Sequence, residues 1–125
     1  MDAASSSRWM LAKALRELAD GSSEAALRSA LSRSYYSIFH AAYALFGKVS
    51  HGDIAKKLGA IDPKLGESVE RLQRIRSQAD YDPKFVEREF GGDLEKFQLD
   101  ARERIDEGLT VFNRIVGEIE RSSKI

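Results

Sequence analysis

Apolar residues recur along this chain at helical spacing, and no stretch alternates as a half-buried strand would. The clearest series is Leu94, Phe97, Ala101, Ile105, Leu109, Phe112, Val116 and Ile119. Its steps of three and four residues lie on one face of a long helix, predicted from Asp93 as N-cap to about Arg121. A first helix is predicted from about Ser6 to Ala19, with Trp9, Leu11, Leu15 and Leu18 on its apolar face and Asp20-Gly21 at its end. A second starts after Ser22 or Ser23 and stops at Phe46 before Gly47. A third runs from Pro63 or Lys64 to Asp80, preceded by a short helical turn over Asp53 to Leu58. The stretch from Tyr81 to Gly92 is expected to be irregular and to pack down through Phe85, Val86 and Phe90. The expected fold is all-α: an antiparallel up-and-down bundle of four to five helices forming one domain over residues 1–125, frayed at 1–5 and 122–125.

The second helix, "SRSYYSIFHAAYALF", is amphipathic in an unusual way. Leu27, Leu31, Ile38, Ala42 and Leu45 make a core face, flanked by Tyr35, Phe39 and Phe46. The other side carries Ala26, Arg33, Ser37, His40 and Ala44, with Tyr36 and Tyr43 alongside, and no acidic residue lies between Glu24 and Asp53. Lys, Glu and Gln would be expected on a solvated face. Small residues with Tyr and Arg suit a covered one, buried by another helix or by a second subunit. Arg33 and His40 are two turns apart and point almost the same way. His40 can exchange protons near neutral pH, or can be a packed, hydrogen-bonded histidine. The third helix carries Arg71, Arg74 and Arg76 within two turns, either a solvated basic face or a cluster of guanidinium forks for phosphate. Arg76 and Asp80 form an i,i+4 pair.

Composition narrows the chemistry. With no cysteine, disulfides, thiolate metal sites and cysteine nucleophiles are excluded. Twenty basic residues balance twenty acidic ones, which argues against a uniformly basic nucleic-acid coat. The charge is uneven: residues 1–79 hold 12 basic and 8 acidic side chains, residues 80–125 hold 8 and 12, so a local basic surface remains open. No apolar run approaches the roughly 20 residues that span a bilayer, and the first residues lack a signal-peptide core, so a soluble cytoplasmic protein is expected. His40, His51 and Asp53 do not make a persuasive metal site, since "HGD" reads as a turn; no metal or cofactor is expected. Ser37 beside His40 lacks an orienting carboxylate, and "FGGDL" suits an ordinary helix start rather than a phosphate-cradling loop. Tyr35, Tyr36 and Tyr43 can stack on bases or pack in the core.

"SRSYYSIFHAAYAL" followed by "RIRSQADYDP" resembles the HEPN family, over roughly residues 8–120. The first segment is similar to that family's early long-helix signature, and the second to its Arg-x-x-Ala-Asp-Tyr segment at the end of a later helix. The resemblance implies a helical bundle that is usually a homodimer. Many members are prokaryotic toxins that cleave RNA without metal through an Arg-x4-to-6-His motif. Others bind nucleotide or partner a small nucleotidyltransferase that can act as antitoxin. Arg33 to His40 has the motif's spacing but sits on an earlier helix. Arg76 to Tyr81 has the spacing at the later position, with Tyr81 where His would stand. On this reading Arg33, His40 and Arg76 are the candidate catalytic groups. Arg71, Arg74, Tyr36, Tyr43, Asp80 and Tyr81 are candidate binding residues, with Tyr81 also a candidate for modification by the partner. The alternative is a non-catalytic dimeric interaction module that binds such a partner.

Overall fold

A computed structural model describes residues 3–19 and 23–122. The described chain is all-helical, with six helices: α1 (Ala3–Ala19), α2 (Glu24–Phe46), α3 (His51–Ile61), α4 (Pro63–Tyr81), α5 (Phe85–Phe90) and α6 (Leu94–Ser122). The helix ends follow local chemistry. Ser23 caps α2 by accepting a hydrogen bond from the Ala26 amide at 3.1 Å, and Gly47 ends it at φ 79°. Asp62 accepts from the Lys64 amide at 3.0 Å ahead of Pro63, which needs no N–H in the first turn of α4. Gly91 and Gly92 turn the chain at positive φ, and Asp93 accepts from the Glu95 and Lys96 amides at 3.0 and 3.2 Å to start α6.

Two expectations change. The short turn over Asp53 to Leu58 is a full helix, α3, because Ile54 and Leu58 are both completely buried and each added turn extends that apolar stripe. His51 and Asp53 therefore sit in its first turn rather than in a loop. The stretch expected to be irregular contains α5, whose Phe85 and Val86 are buried and whose Phe85 meets Phe97 of α6 edge-on at 5.8 Å. Together these make six helices rather than four to five. The expected end of α1 at Asp20-Gly21, and the fraying at 1–2 and 123–125, lie outside the described residues.

The core is one continuous cluster drawn from all six helices, with Leu27, Leu31, Tyr35, Ile38, Leu72, Phe97, Ile105 and Ile115 among its fully buried members. The α4 helix runs antiparallel to α2 and α6. The start of α2 meets the end of α4 through Arg28 and Ala79, while Tyr35 and Tyr36 lie beside Arg76 one turn earlier on α4. Arg71 pairs with Glu107, whereas Gln78 shares a groove with Asp100. The α1 helix packs along α2, and α3 folds onto α4. That last contact is very close: a Cβ on Gly66 would lie 2.8 Å from the Ala55 carbonyl and 3.1 Å from the Gly59 Cα. Only glycine lets the two backbones approach this way. Among the described residues no helix is long and apolar enough to cross a membrane.

Candidate functional site

The residues that sequence reasoning grouped are dealt to different sides of the bundle. Arg33 lies under α1: its Nε is 2.5 Å from Glu17 Oε1, and its guanidinium sits 5.9 Å from the Trp9 ring. The Arg33 face is therefore covered by the protein's own first helix. His40 is partly buried with its ring edge-on to Phe39 and is not brought to Arg33's partners or to Arg76. Tyr43 is 44% exposed.

The three arginines of α4 also separate. Arg71 donates to Glu107 of α6 at 2.7 and 3.0 Å. Arg74 carries no ion pair among the described residues and borders a shallow groove of about 370 Å³ between α4, α5 and α6, together with Phe90, Asp100 and Arg104. Burial in that groove holds the Asp100 carboxyl above the usual carboxylate range, against the pull of Arg104. Arg76 points the other way, toward α2. A helix turns about 100° per residue, so residues two positions apart lie on nearly opposite sides.

Arg76 is the unusual one. It is only 6% exposed, yet among the described residues its sole ion pair is a long 3.4 Å contact from Nη1 to Asp80, and its buried Nε–H has no acceptor there. The guanidinium stacks on two rings of α2, 4.6 Å from the centre of Tyr35 and 5.4 Å from that of Tyr36. Aromatic faces offset part of the cost of desolvating the charge. They accept none of its five N–H donors in the plane of the fork. A buried arginine is normally paired more fully than this. One buried N–H of this guanidinium, on Nε, is thus left without an acceptor among the described residues.

The neighbours of Arg76 form a connected cluster. Asp80 also accepts from the Ser32 hydroxyl at 3.3 Å. The Tyr35 hydroxyl and His51 Nδ1 are 2.6 Å apart, and the His51 ring stacks on Phe39 at 4.4 Å and meets Tyr36 edge-on at 5.9 Å. Burial pushes the Tyr35 phenol up to about 12, against the opposing influence of Arg76. Burial first, and then the Arg76 charge, hold His51 below its ordinary value. Tyr35 is therefore a phenol, and His51 a neutral imidazole, at neutral pH.

Of the sequence candidates, Arg76, Tyr36 and Asp80 meet here. Tyr81 follows directly but turns out to solvent, 75% exposed. His51, Tyr35 and Ser32 complete the cluster and were not among the candidates. A signal for them exists in the stripe Arg28, Ser32, Tyr35 and Phe39 on α2, spaced by four, three and four, which is polar and aromatic where a plain core face would be aliphatic. Among the described residues no three His, Asp or Glu side chains gather as a metal ion would require. Comparison with known proteins returns no matching family model, no matching curated protein and no matching solved structure.

Proposed function

We propose that this chain is a HEPN-like helical module that binds RNA, holding backbone phosphate at Arg76. The observation that carries this is the buried, under-paired Arg76 guanidinium on its two tyrosine rings. Guanidinium forks match phosphate oxygens, and an anion would satisfy donors that the protein leaves open. Tyr36, partly exposed beside it, offers a ring on which a flanking base can stack. Phosphate binding is better supported than cleavage. Arg33 is engaged by Glu17 and Trp9, His40 lies apart, and a neutral His51 next to a phenol is a hydrogen-bond donor before it is a base.

The resemblance adds an expectation of a toxin-type component in a prokaryotic toxin–antitoxin or defence system, dimeric in solution. Exposure of Tyr81 favours a companion role. Its ring stands free one residue beyond Asp80, open to an enzyme partner such as a small nucleotidyltransferase.

The test is binding and cleavage of a mixed RNA pool in EDTA by the wild type and by Arg76→Lys, Arg33→Ala and His40→Ala. Binding that falls in Arg76→Lys and survives in Arg33→Ala supports the reading, because an ammonium cannot span both rings and fork onto phosphate. Equal binding by all four proteins sinks it. Cleavage that disappears in His40→Ala would move the chemistry to α2 and make the protein a metal-independent ribonuclease.

A further inference from the structure

We propose that His51 is a second phosphate ligand of the Arg76 site, donating through Nε2–H, and that Tyr35 is the positioning residue that fixes this tautomer. The inference rests on Arg76 as a phosphate ligand and adds the group that works beside it.

The argument is a count of protons. Tyr35 is wholly buried, so its hydroxyl proton must find a protein acceptor. Among the described residues its hydrogen-bond partner is His51 Nδ1, at 2.6 Å. Arg76, packed on the Tyr35 ring, carries donors only and cannot take that proton. The alternative arrangement, Nδ1–H donating to the phenol oxygen, would leave the phenol proton buried without a partner. Nδ1 is therefore the acceptor, and the neutral ring carries its hydrogen on Nε2. Nε2 has no protein partner among the described residues, while the ring is only partly buried. Stacking on Phe39 and edge contact with Tyr36 hold the imidazole in place.

His51 and Arg76 lie against the same pair of rings, Tyr35 and Tyr36. The cluster thus gathers the Arg76 guanidinium and the Nε2–H of His51, donors from two helices, around the same pair of rings. The charged groups that face them are few. Asp80 on α4 is already shared between Arg76 and Ser32, and Asp53 on α3 is held by the Ser50 hydroxyl at 2.8 Å. An incoming phosphate oxygen therefore meets no carboxylate that is without a donor of its own. The site is built for a phosphate oxygen, whether on free phosphate or in an RNA strand.

The experiment is nitrogen–proton correlation NMR of the imidazole rings near neutral pH, with titrations of inorganic phosphate and of a short single-stranded RNA. Wild-type His51 is expected to show the Nε2–H tautomer, and phosphate to shift both its Nε2–H and the Arg76 Nε–H. His51→Ala should weaken binding roughly tenfold, the worth of one hydrogen bond to a charged group. His51→Gln, which can return a side-chain N–H near the Nε2 position, should recover most of it. Tyr35→Phe should mix the tautomers and weaken binding while leaving the fold intact by circular dichroism. An Nδ1–H tautomer in the wild type, or binding indifferent to His51→Ala while Arg76→Lys reduces it, overturns the inference and spares the Arg76 reading. Response to phosphate but not to RNA keeps the inference and sinks the RNA function. No response to either probe overturns both.

Discussion

Arg28, near the start of α2, closes the far end of α4 by donating from Nη1 to the carbonyl of Ala79 at 2.7 Å. The same nitrogen donates to the Asp82 carbonyl at 2.9 Å and Nη2 to that of Pro83 at 3.3 Å, while Nε donates to Glu24 at 3.0 Å. A helix leaves its last carbonyls without partners, and a cation there also suits the negative end of the helix dipole. Here the cation comes from another helix, 51 residues away in sequence. This clamp holds the end of α4, with Asp80 and Tyr81, against α2 and so helps to seat Arg76 on its tyrosines.

Arg28→Ala should therefore lower stability by about 1.5–3 kcal/mol, in the range of hydrogen bonds to a charged donor. Arg28→Lys should recover only part, since one ammonium cannot reproduce the fork. Urea denaturation of the three proteins measures this. Equal midpoints would mean that water satisfies the Ala79 and Asp82 carbonyls just as well.

Gly66→Ala should destabilise by about 1–3 kcal/mol, the usual cost of overpacking a tight contact, despite alanine's better helix propensity. The clash is with backbone, the Ala55 carbonyl at 2.8 Å and the Gly59 Cα at 3.1 Å, so no side chain can swing aside. Gly52→Ala, where nothing lies within 4 Å of the new methyl, is the matched control and should be neutral or stabilising. A thermal melt separates the two, and a neutral Gly66→Ala would show that α3 can slide on α4.

Stability should fall as the solution is made alkaline, in a window set by Tyr35. Its folded value is raised to about 12 from the ordinary 10.0, so the native state holds the phenol's proton more tightly than the unfolded chain does. The contribution is complete below pH 10.0 and is lost as pH rises through about 12. Tyr35→Phe should be less stable at neutral pH through loss of the His51 contact, and its loss of stability across this window should be shallower. Parallel curves for the two proteins would assign the alkaline transition to other groups.

His51 acts at the other end of the scale. Its folded value lies below the ordinary 6.5, so its contribution is present above that pH and is lost as pH falls through the lower folded value. Protonation also puts a hydrogen on Nδ1, where Tyr35 already donates. The His51→Gln variant should lose this part of the acid sensitivity, read as a flatter stability profile below neutrality. A variant profile as steep as that of the wild type would place the titration elsewhere.

Arg33→Ala should change stability by less than about 1 kcal/mol, because its pair with Glu17 remains partly exposed on both sides. RNA binding should be unchanged. Reduced binding in this variant, with an unaltered melt, would bring the α1–α2 face back as the functional surface.

Much of the architecture could be read from spacing alone. The period of α6, the Ser23 and Asp93 caps, Pro63 at the start of α4 and the glycines at 47, 91 and 92 are local signals, and the helices begin and end within a few residues of them. The extents of α3 and α5 were harder to see because a short helix is stabilised by what it packs against, and Ile54, Leu58, Phe85 and Val86 find their partners only in the assembled core.

The site divides along the same line. Helical periodicity decided that Arg71, Arg74 and Arg76 would not all be core residues, but not which neighbour each would meet. Only the antiparallel docking of α4 between α2 and α6 sent Arg71 to Glu107 and Arg76 to Tyr35 and Tyr36. Arg33 and His40 did share a helix side as their spacing required, yet α1 took up the first of them through Glu17. His51 meets Tyr35, Tyr36 and Phe39 of α2 only once α3 is folded back on the bundle, a set of contacts that no local pattern announces. Local chemistry along the chain settles which segments are helical and where most of them stop, because those choices depend on groups a few residues apart. Which charges are paired, which are buried and which are left with open donors was decided by tertiary packing, because desolvation and hydrogen bonding depend on side chains dozens of residues away.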